Sequence, residues 1–160
     1  TNLKSLSVEA NELAGRIPKE ISDLVSLTEL RFANNQFEGE MRSSFLNGKL
    51  PKLAVLDLSF NRLTGALPVH LPNSRLARLT ELRLANNKFK GEVHTFLQNG
   101  MLSNLVVLDL SFNRLYGSIP LSISTLTKLV HIKLSNNAFS GPIPNFSKLT
   151  NLKTLDLSGN

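Results

Sequence analysis

Residues Leu105 to Pro120 read LVVLDLSFNRLYGSIP, and the rest of the chain is this stretch repeated with small changes. Leu108 and Leu110 alternate around Asp109, the pattern of a β-strand with one buried face. Asn113, Leu115 and Gly117 follow, and then an Ile119-Pro120 step at which the chain turns away instead of extending the strand. The asparagine recurs as Asn11, Asn35, Asn61, Asn87, Asn113, Asn137 and Asn160, at steps of 24, 26, 26, 26, 24 and 23 residues. Self-similarity at such a period marks a stacked-repeat architecture. Coils starting near residues 3, 27, 53, 79, 105, 129 and 152 make residues 1–160 a single array of seven coils or part-coils.

The copies are not all alike. Coils one, three, five and six keep an apolar-Pro step (Ile17-Pro18, Leu67-Pro68, Ile119-Pro120, Ile143-Pro144), whereas coils two and four replace it and carry Asn47-Gly48 and Asn99-Gly100 turns. LTELRFANNQFEGE in coil two matches LTELRLANNKFKGE in coil four at an offset of 52 residues, and coils three and five match in the same way. Duplication of a two-coil unit explains this pattern. Six of the nine glycines (Gly15, Gly39, Gly65, Gly91, Gly117, Gly141) share one repeat position, where a tight turn or a positive φ is required. They are architectural, and no phosphate-binding glycine loop is present.

In a repeat array each coil buries its apolar face only against its neighbours, so the core grows with coil number. The formal charge of +6 permits an acidic partner but is also explained by solubility alone. With no cysteine there is neither a disulfide framework nor a thiolate metal site. His70, His94 and His131 fall at different repeat positions, which predicts no metal site, and no nucleophile motif appears. No cofactor, nucleic-acid partner or membrane contact is expected of this segment. No apolar run approaches the roughly 20 residues that span a bilayer. The chain starts at Thr1 within an ordinary coil and stops at Asn160 in an unfinished one. The expectation is an interior segment whose ends are covered by further repeats or other subunits.

These residues together resemble the leucine-rich repeat family, in its plant-type subclass marked by LxxLxLxxNxLxGxIP. The resemblance runs in register over essentially the whole chain. It implies an α/β repeat fold: a curved solenoid with a concave parallel β-sheet, about seven coils, and a convex side of loops and short helical turns. It also implies an extracellular or cell-surface setting, as in the ectodomains of receptor-like kinases and receptor-like proteins or in polygalacturonase-inhibitor-like proteins.

Strand alternation divides each coil into residues that build it and residues that face outward. The asparagine is predicted to form a ladder, because a polar group among apolar ones must be hydrogen-bonded and an amide offers both donors and an acceptor. The column between the strand leucines reads Ser7, Arg31, Asp57, Arg83, Asp109, Lys133, Asp156, so that charges of opposite sign stand beside each other about 4.8 Å apart. Cross-strand pairing of these charges would set the register, and contact with a ligand is compatible with it. The preceding column contains Glu29, Val55, Glu81, Val107 and His131. The following column is mostly small, predicting a floor that a partner can approach. Phe60 and Phe112 stand at the strand exits, either as partner anchors or tucked against the neighbouring turn. Arg62, Lys88 and Arg114 occupy one place in three successive coils, with Lys90 and Tyr116 two residues further along. They form either a solvated edge or a docking patch. Asn145-Phe146-Ser147 is the one glycosylation sequon, which makes Asn145 the candidate glycan site in a secreted chain.

The function expected is non-enzymatic recognition of a protein or peptide through the concave sheet and one lateral edge. The concave residues are Arg31, Val55, Asp57, Phe60, Glu81, Arg83, Val107, Asp109, Phe112, His131 and Lys133. The basic edge comprises Arg62, Lys88, Lys90, Arg114 and Tyr116. The alternatives are a structural subunit of a larger assembly, or a protein that binds an acidic polysaccharide or an ice surface.

Overall fold

A computed structural model describes residues 2–41, 50–67, 77–94, 96–97 and 102–160. Thirteen short strands follow one another in these residues: β1 (Ser5–Ser7), β2 (Ala14–Arg16), β3 (Glu29–Arg31), β4 (Gln36–Glu40), β5 (Val55–Asp57), β6 (Arg62–Gly65) and β7 (Glu81–Arg83). The remainder are β8 (Lys88–Glu92), β9 (Val107–Asp109), β10 (Arg114–Ser118), β11 (His131–Lys133), β12 (Ala138–Ser140) and β13 (Thr154–Asp156). The odd-numbered strands form one seven-stranded parallel sheet in chain order, and the even-numbered strands form a second, six-stranded one. Parallel neighbours need a crossover, and here each coil of the solenoid supplies it. The seven strands of the first sheet are the seven coils expected from the asparagine spacing.

In the first sheet the register is unshifted, with Leu30, Leu56, Leu82, Leu108 and Ile132 opposite one another. All five side chains are fully buried. They belong to one continuous core that runs through the stack, with Leu53, Leu79, Leu105 and Leu129 below the strand and Leu58, Leu84, Leu110 and Leu134 above it. In coils two to five the apolar residue of the Ile-Pro step joins this core even where the proline is missing, since Met41 and Val93 are as buried as Leu67 and Ile119, whereas Ile143 of coil six is exposed. Proline sets how the return segment begins. After Pro18 and Pro120 the chain enters 3-10 helices at Lys19–Asp23 and Leu121–Thr125. The fixed φ of proline suits the position just before a helical turn. These are the short helical turns expected on the returns. The described residues contain no α-helix, so the helical part of the repeat goes no further than them.

The second sheet was not anticipated from the sequence. Strands β2, β4, β6, β8 and β10 contain the repeated glycine and β12 ends just before it, and the register shifts by two residues per coil: Gln36 lies opposite Ala14, Arg62 opposite Glu38, Lys88 opposite Thr64, Arg114 opposite Lys90 and Ala138 opposite Tyr116. The repeated glycines have φ between +83° and +107°. At Gly117 a Cβ would come within 3.1 Å of the exposed Glu92 side chain of the coil before it, which can shift aside, so it is the backbone conformation that calls for glycine there.

The asparagine ladder joins the two sheets. In coil four, Nδ2 of Asn87 donates to the Leu58 carbonyl of coil three (2.9 Å), and its Oδ1 accepts from the Leu63 N–H of the same coil (2.9 Å). Asn35, Asn61, Asn113, Asn137 and Asn160 repeat both bonds to the coil before them. Among the described residues the Asn11 side chain bonds the carbonyls of Val8 and Glu9 of its own coil only.

Candidate functional site

The exposed face of the first sheet alternates with a period of two coils. Strands β3 and β7 both read Glu-Leu-Arg, while β5 and β9 read Val-Leu-Asp. The register places Arg31 beside Asp57, Asp57 beside Arg83, Arg83 beside Asp109 and Asp109 beside Lys133, as the charge column requires. Pairing between strands was expected, but the ion pairs on this face run along the strand. Arg31 meets Glu29 at 3.4 Å, and Arg83 meets Glu81.

Side-chain length explains the difference. Aspartate is short and lies close to the backbone, where Oδ1 of Asp57 accepts from the Ser59 N–H (3.0 Å) and hydroxyl (2.5 Å). Asp109 binds Ser111, and Asp156 binds Ser158, in the same way. Arginine and glutamate are long enough to meet above the sheet. Hydroxyl donation from Ser158 and Ser135, the Ser158 amide and the nearby Lys133 charge hold the Asp156 carboxyl below the usual aspartate range.

The small-residue column does not provide an open floor. Ala33, Ser59, Ala85, Ser111 and Ser135 are all buried, because longer side chains on either side cover them. Val55 and Asp57 are also closed, at 8% and 7% exposure, between the Glu-Arg pairs of β3 and β7. Val107 and Asp109 have such a pair on one side only and remain half-buried.

The face therefore opens over coils four to seven. A depression of about 400 Å³ is lined there by Arg83, Val107, Asp109, His131, Lys133 and Thr154. Nδ1 of His131 lies 3.0 Å from the Thr154 hydroxyl. Five of the six lining residues were candidates from the sequence. Thr154 was missed, although it occupies the same column as His131, because a lone threonine carries no charge or aromatic signal. Among the described residues no three metal-ligating side chains come together. His70 lies outside the described residues, as do Pro68 and the Asn47-Gly48 and Asn99-Gly100 turns.

Phe60 and Phe112 leave about half of their surface open to solvent. They are 53% and 51% exposed, at φ of 53° each. The basic edge differs from a simple row because of the two-residue stagger. Arg62 lies beside Glu38 and Lys88 beside Thr64, so only Arg114 and Lys90 stand together as cations. Tyr116 is half-exposed and lies opposite Glu92. Acids and bases thus intermix across this sheet, and long like-charged runs are absent among its described residues.

Asn145 is exposed on the return of coil six, and its Oδ1 accepts from the Ser147 N–H at 2.8 Å. Secretion through a eukaryotic host is expected to give a gel-mobility shift that glycosidase digestion and Asn145→Gln both remove. A product of unchanged mobility would show that the sequon is not used.

The Leucine Rich Repeat family model matches residues 52–74, 78–99, 104–126 and 128–149, and a second Leucine Rich repeat model matches 148–160. More than half of the chain is covered, and the chain belongs to the leucine-rich repeat family. In that family the first sheet is the concave one. No curated protein sequence matches the chain closely.

Among solved structures, a TDR receptor is similar at 35% identity and a TM-score of 0.88, over 96% of this chain and 26% of that one. The Arabidopsis receptor kinase HAESA, solved with the peptide hormone IDA and the co-receptor SERK1, is similar at 31% identity and a TM-score of 0.85, over 98% of this chain and 25% of that one. A plant ice-binding protein is similar at 31% identity and a TM-score of 0.78, over 99% of this chain and 49% of that one. The chain spans about a quarter of the TDR and HAESA chains. No helix among the described residues is long and apolar enough to cross a membrane.

Proposed function

We propose that this segment is a non-enzymatic, extracellular recognition module that binds a peptide or protein surface across the concave sheet of coils four to seven. The observation that supports this most directly is the depression where Arg83, Asp109, His131, Lys133 and Thr154 converge on adjacent strands of one parallel sheet, of which β7, β9 and β11 are paired on both sides. Such a site needs little ordering to bind, which favours affinity. Similar solenoids are seen with peptide hormones in HAESA and RGFR1. A shared fold does not itself choose between peptide and ice as ligand, so the reading rests on the site.

The end coils leave core positions open, with Leu3, Leu13 and Leu155 all at least 40% exposed. We take further repeats of the same array to cover them. The basic edge, broken by Glu38 and Glu92, has the character of a solvated surface more than of a polyanion site.

Peptide-display selection on the immobilised chain tests the reading. Lys133 is exposed and its side chain makes no hydrogen bond or ion pair among the described residues, so Lys133→Glu is expected to abolish enrichment of the selected peptides at an unchanged melting temperature, whereas Lys88→Glu on the second sheet retains it. Equal enrichment on the Lys133→Glu chain would rule the concave site out.

A further inference from the structure

Residues 55–63 and 107–115 both read VLDLSFNRL, so coils three and five present the same floor to the concave side. The two floors are not equally open. Val55 and Asp57 are buried, whereas Val107 and Asp109 are half-buried and line the depression. Identical residues cannot produce that difference by themselves, so its cause lies in the neighbouring strands.

On the side the floors share there is no contrast. Strand β7 stands between them, with Glu81 beside both Val55 and Val107 and Arg83 beside both Asp57 and Asp109. On the outer sides the sequences part. Val55 and Asp57 meet Glu29 and Arg31 of β3, while Val107 and Asp109 meet His131 and Lys133 of β11.

Glu29 and Arg31 are tied into an ion pair, as Glu81 and Arg83 are, so linked long side chains flank coil three on both sides. Coil six has no carboxylate at these positions with which to close such a pair. Nδ1 of His131 lies 3.0 Å from the Thr154 hydroxyl, on the far side of β11 from Val107. The reach of that side chain is spent on coil seven, and Val107 is left open.

We propose that His131 and Lys133 set the position of the recognition site, because they stand where a Glu-Arg pair would otherwise cover Val107 and Asp109. Coil three holds a second copy of the same floor, kept closed by Glu29 and Arg31. This rests on the concave-face reading above and names what governs access to its site. Ion pairs between partly exposed side chains contribute little to stability, so the cover can be moved from one floor to the other without loss of the fold.

The chain contains no cysteine, so a single introduced thiol reports on one position. Val55→Cys and Val107→Cys are labelled with N-ethylmaleimide, each rate being taken relative to the same chain unfolded in urea. The thiol of Val107→Cys is expected to react several times faster. His131→Glu with Lys133→Arg, which copies β3 and β7 into coil six, is expected to slow it to the Val55→Cys rate. The reciprocal exchange, Glu29→His with Arg31→Lys, is expected to raise the Val55→Cys rate to that of Val107→Cys. Ser5 stands opposite position 29 as Thr154 stands opposite His131, so a hydroxyl is there to receive the ring.

His131→Asp with Lys133→Arg carries the same charges on an acid too short to meet the arginine, and it should leave Val107→Cys fast. The exchanged positions lie on the outward face of the sheet, and circular dichroism of each variant verifies the fold. Equal rates for the two thiols in the otherwise unchanged chain would overturn the proposal. So would either exchange without effect, or an aspartate variant as slow as the glutamate one. Labelling needs no ligand, so its outcome is separate from that of the peptide selection with Lys133→Glu.

Discussion

Asn87→Ala is expected to destabilise the array by about 3 kcal/mol, an effect out of proportion to the few atoms removed. The side chain is only 9% exposed and lies between two coils. Its Oδ1 is the acceptor for the N–H of Leu63, a residue buried in coil three, and the variant leaves that donor without a partner. An orphaned buried donor costs about 1–3 kcal/mol. The carbonyls of Leu58 and Leu84 fare better, since they keep bonds from Asn61 and Asn113. Loss of the two strong inter-coil bonds and of the side-chain volume supplies the rest. Asn87→Leu restores most of the volume but no acceptor, so it should recover only part of the loss. Asn11→Ala is the internal control: it removes two exposed bonds within its own coil and is expected to cost under about 1 kcal/mol. Urea denaturation followed by circular dichroism gives the three values. An Asn87→Ala midpoint equal to that of Asn11→Ala would refute the ladder as a stabilising device.

Leu108→Ala is expected to cost about 3–5 kcal/mol. Leu108 has no exposed surface and sits in strand β9 with Leu82 on one side and Ile132 on the other. Its loss leaves a cavity at the centre of the stack, where neither neighbouring coil can move inward without breaking the ladder. The corresponding residue of the last coil, Leu155, is 40% exposed and has a strand on one side only. Leu155→Ala should therefore cost about 1 kcal/mol. The same urea experiment measures both. Near-equal values would mean that the coils do not bury their cores against one another, contrary to the nearest-neighbour picture of a solenoid.

The two substitutions concern features that could be read from the sequence, and the reason is physical. Leu108 and Asn113 recur with fixed offsets because each coil meets the same environment as the next. Repetition converts a three-dimensional constraint into a one-dimensional pattern. The concave candidates were legible to the extent that alternation sends Arg83, Asp109 and Lys133 outward and parallel stacking aligns them. Their actual partners were less legible. Alternation fixes which face a side chain occupies but not whether its reach is spent on a neighbouring strand, as expected for Arg31 and Asp57, or on its own strand, as found with Glu29 and with Ser59.

The sequence by itself determined the coil number, the parallel first sheet, the buried apolar positions, the asparagine ladder and the need for glycine at one place per turn. Each of these is set by local periodicity. Only the tertiary structure decided the second sheet with its two-residue stagger, which separates Arg62, Lys88 and Arg114 and mixes acids among them. It alone decided that Val55 and Asp57 are covered while the corresponding residues of coil five are only half-buried, and that Phe60 and Phe112 are half-exposed at positive φ. These properties depend on how much room a neighbouring coil leaves, and a repeat pattern records which residues are neighbours without recording the space between them.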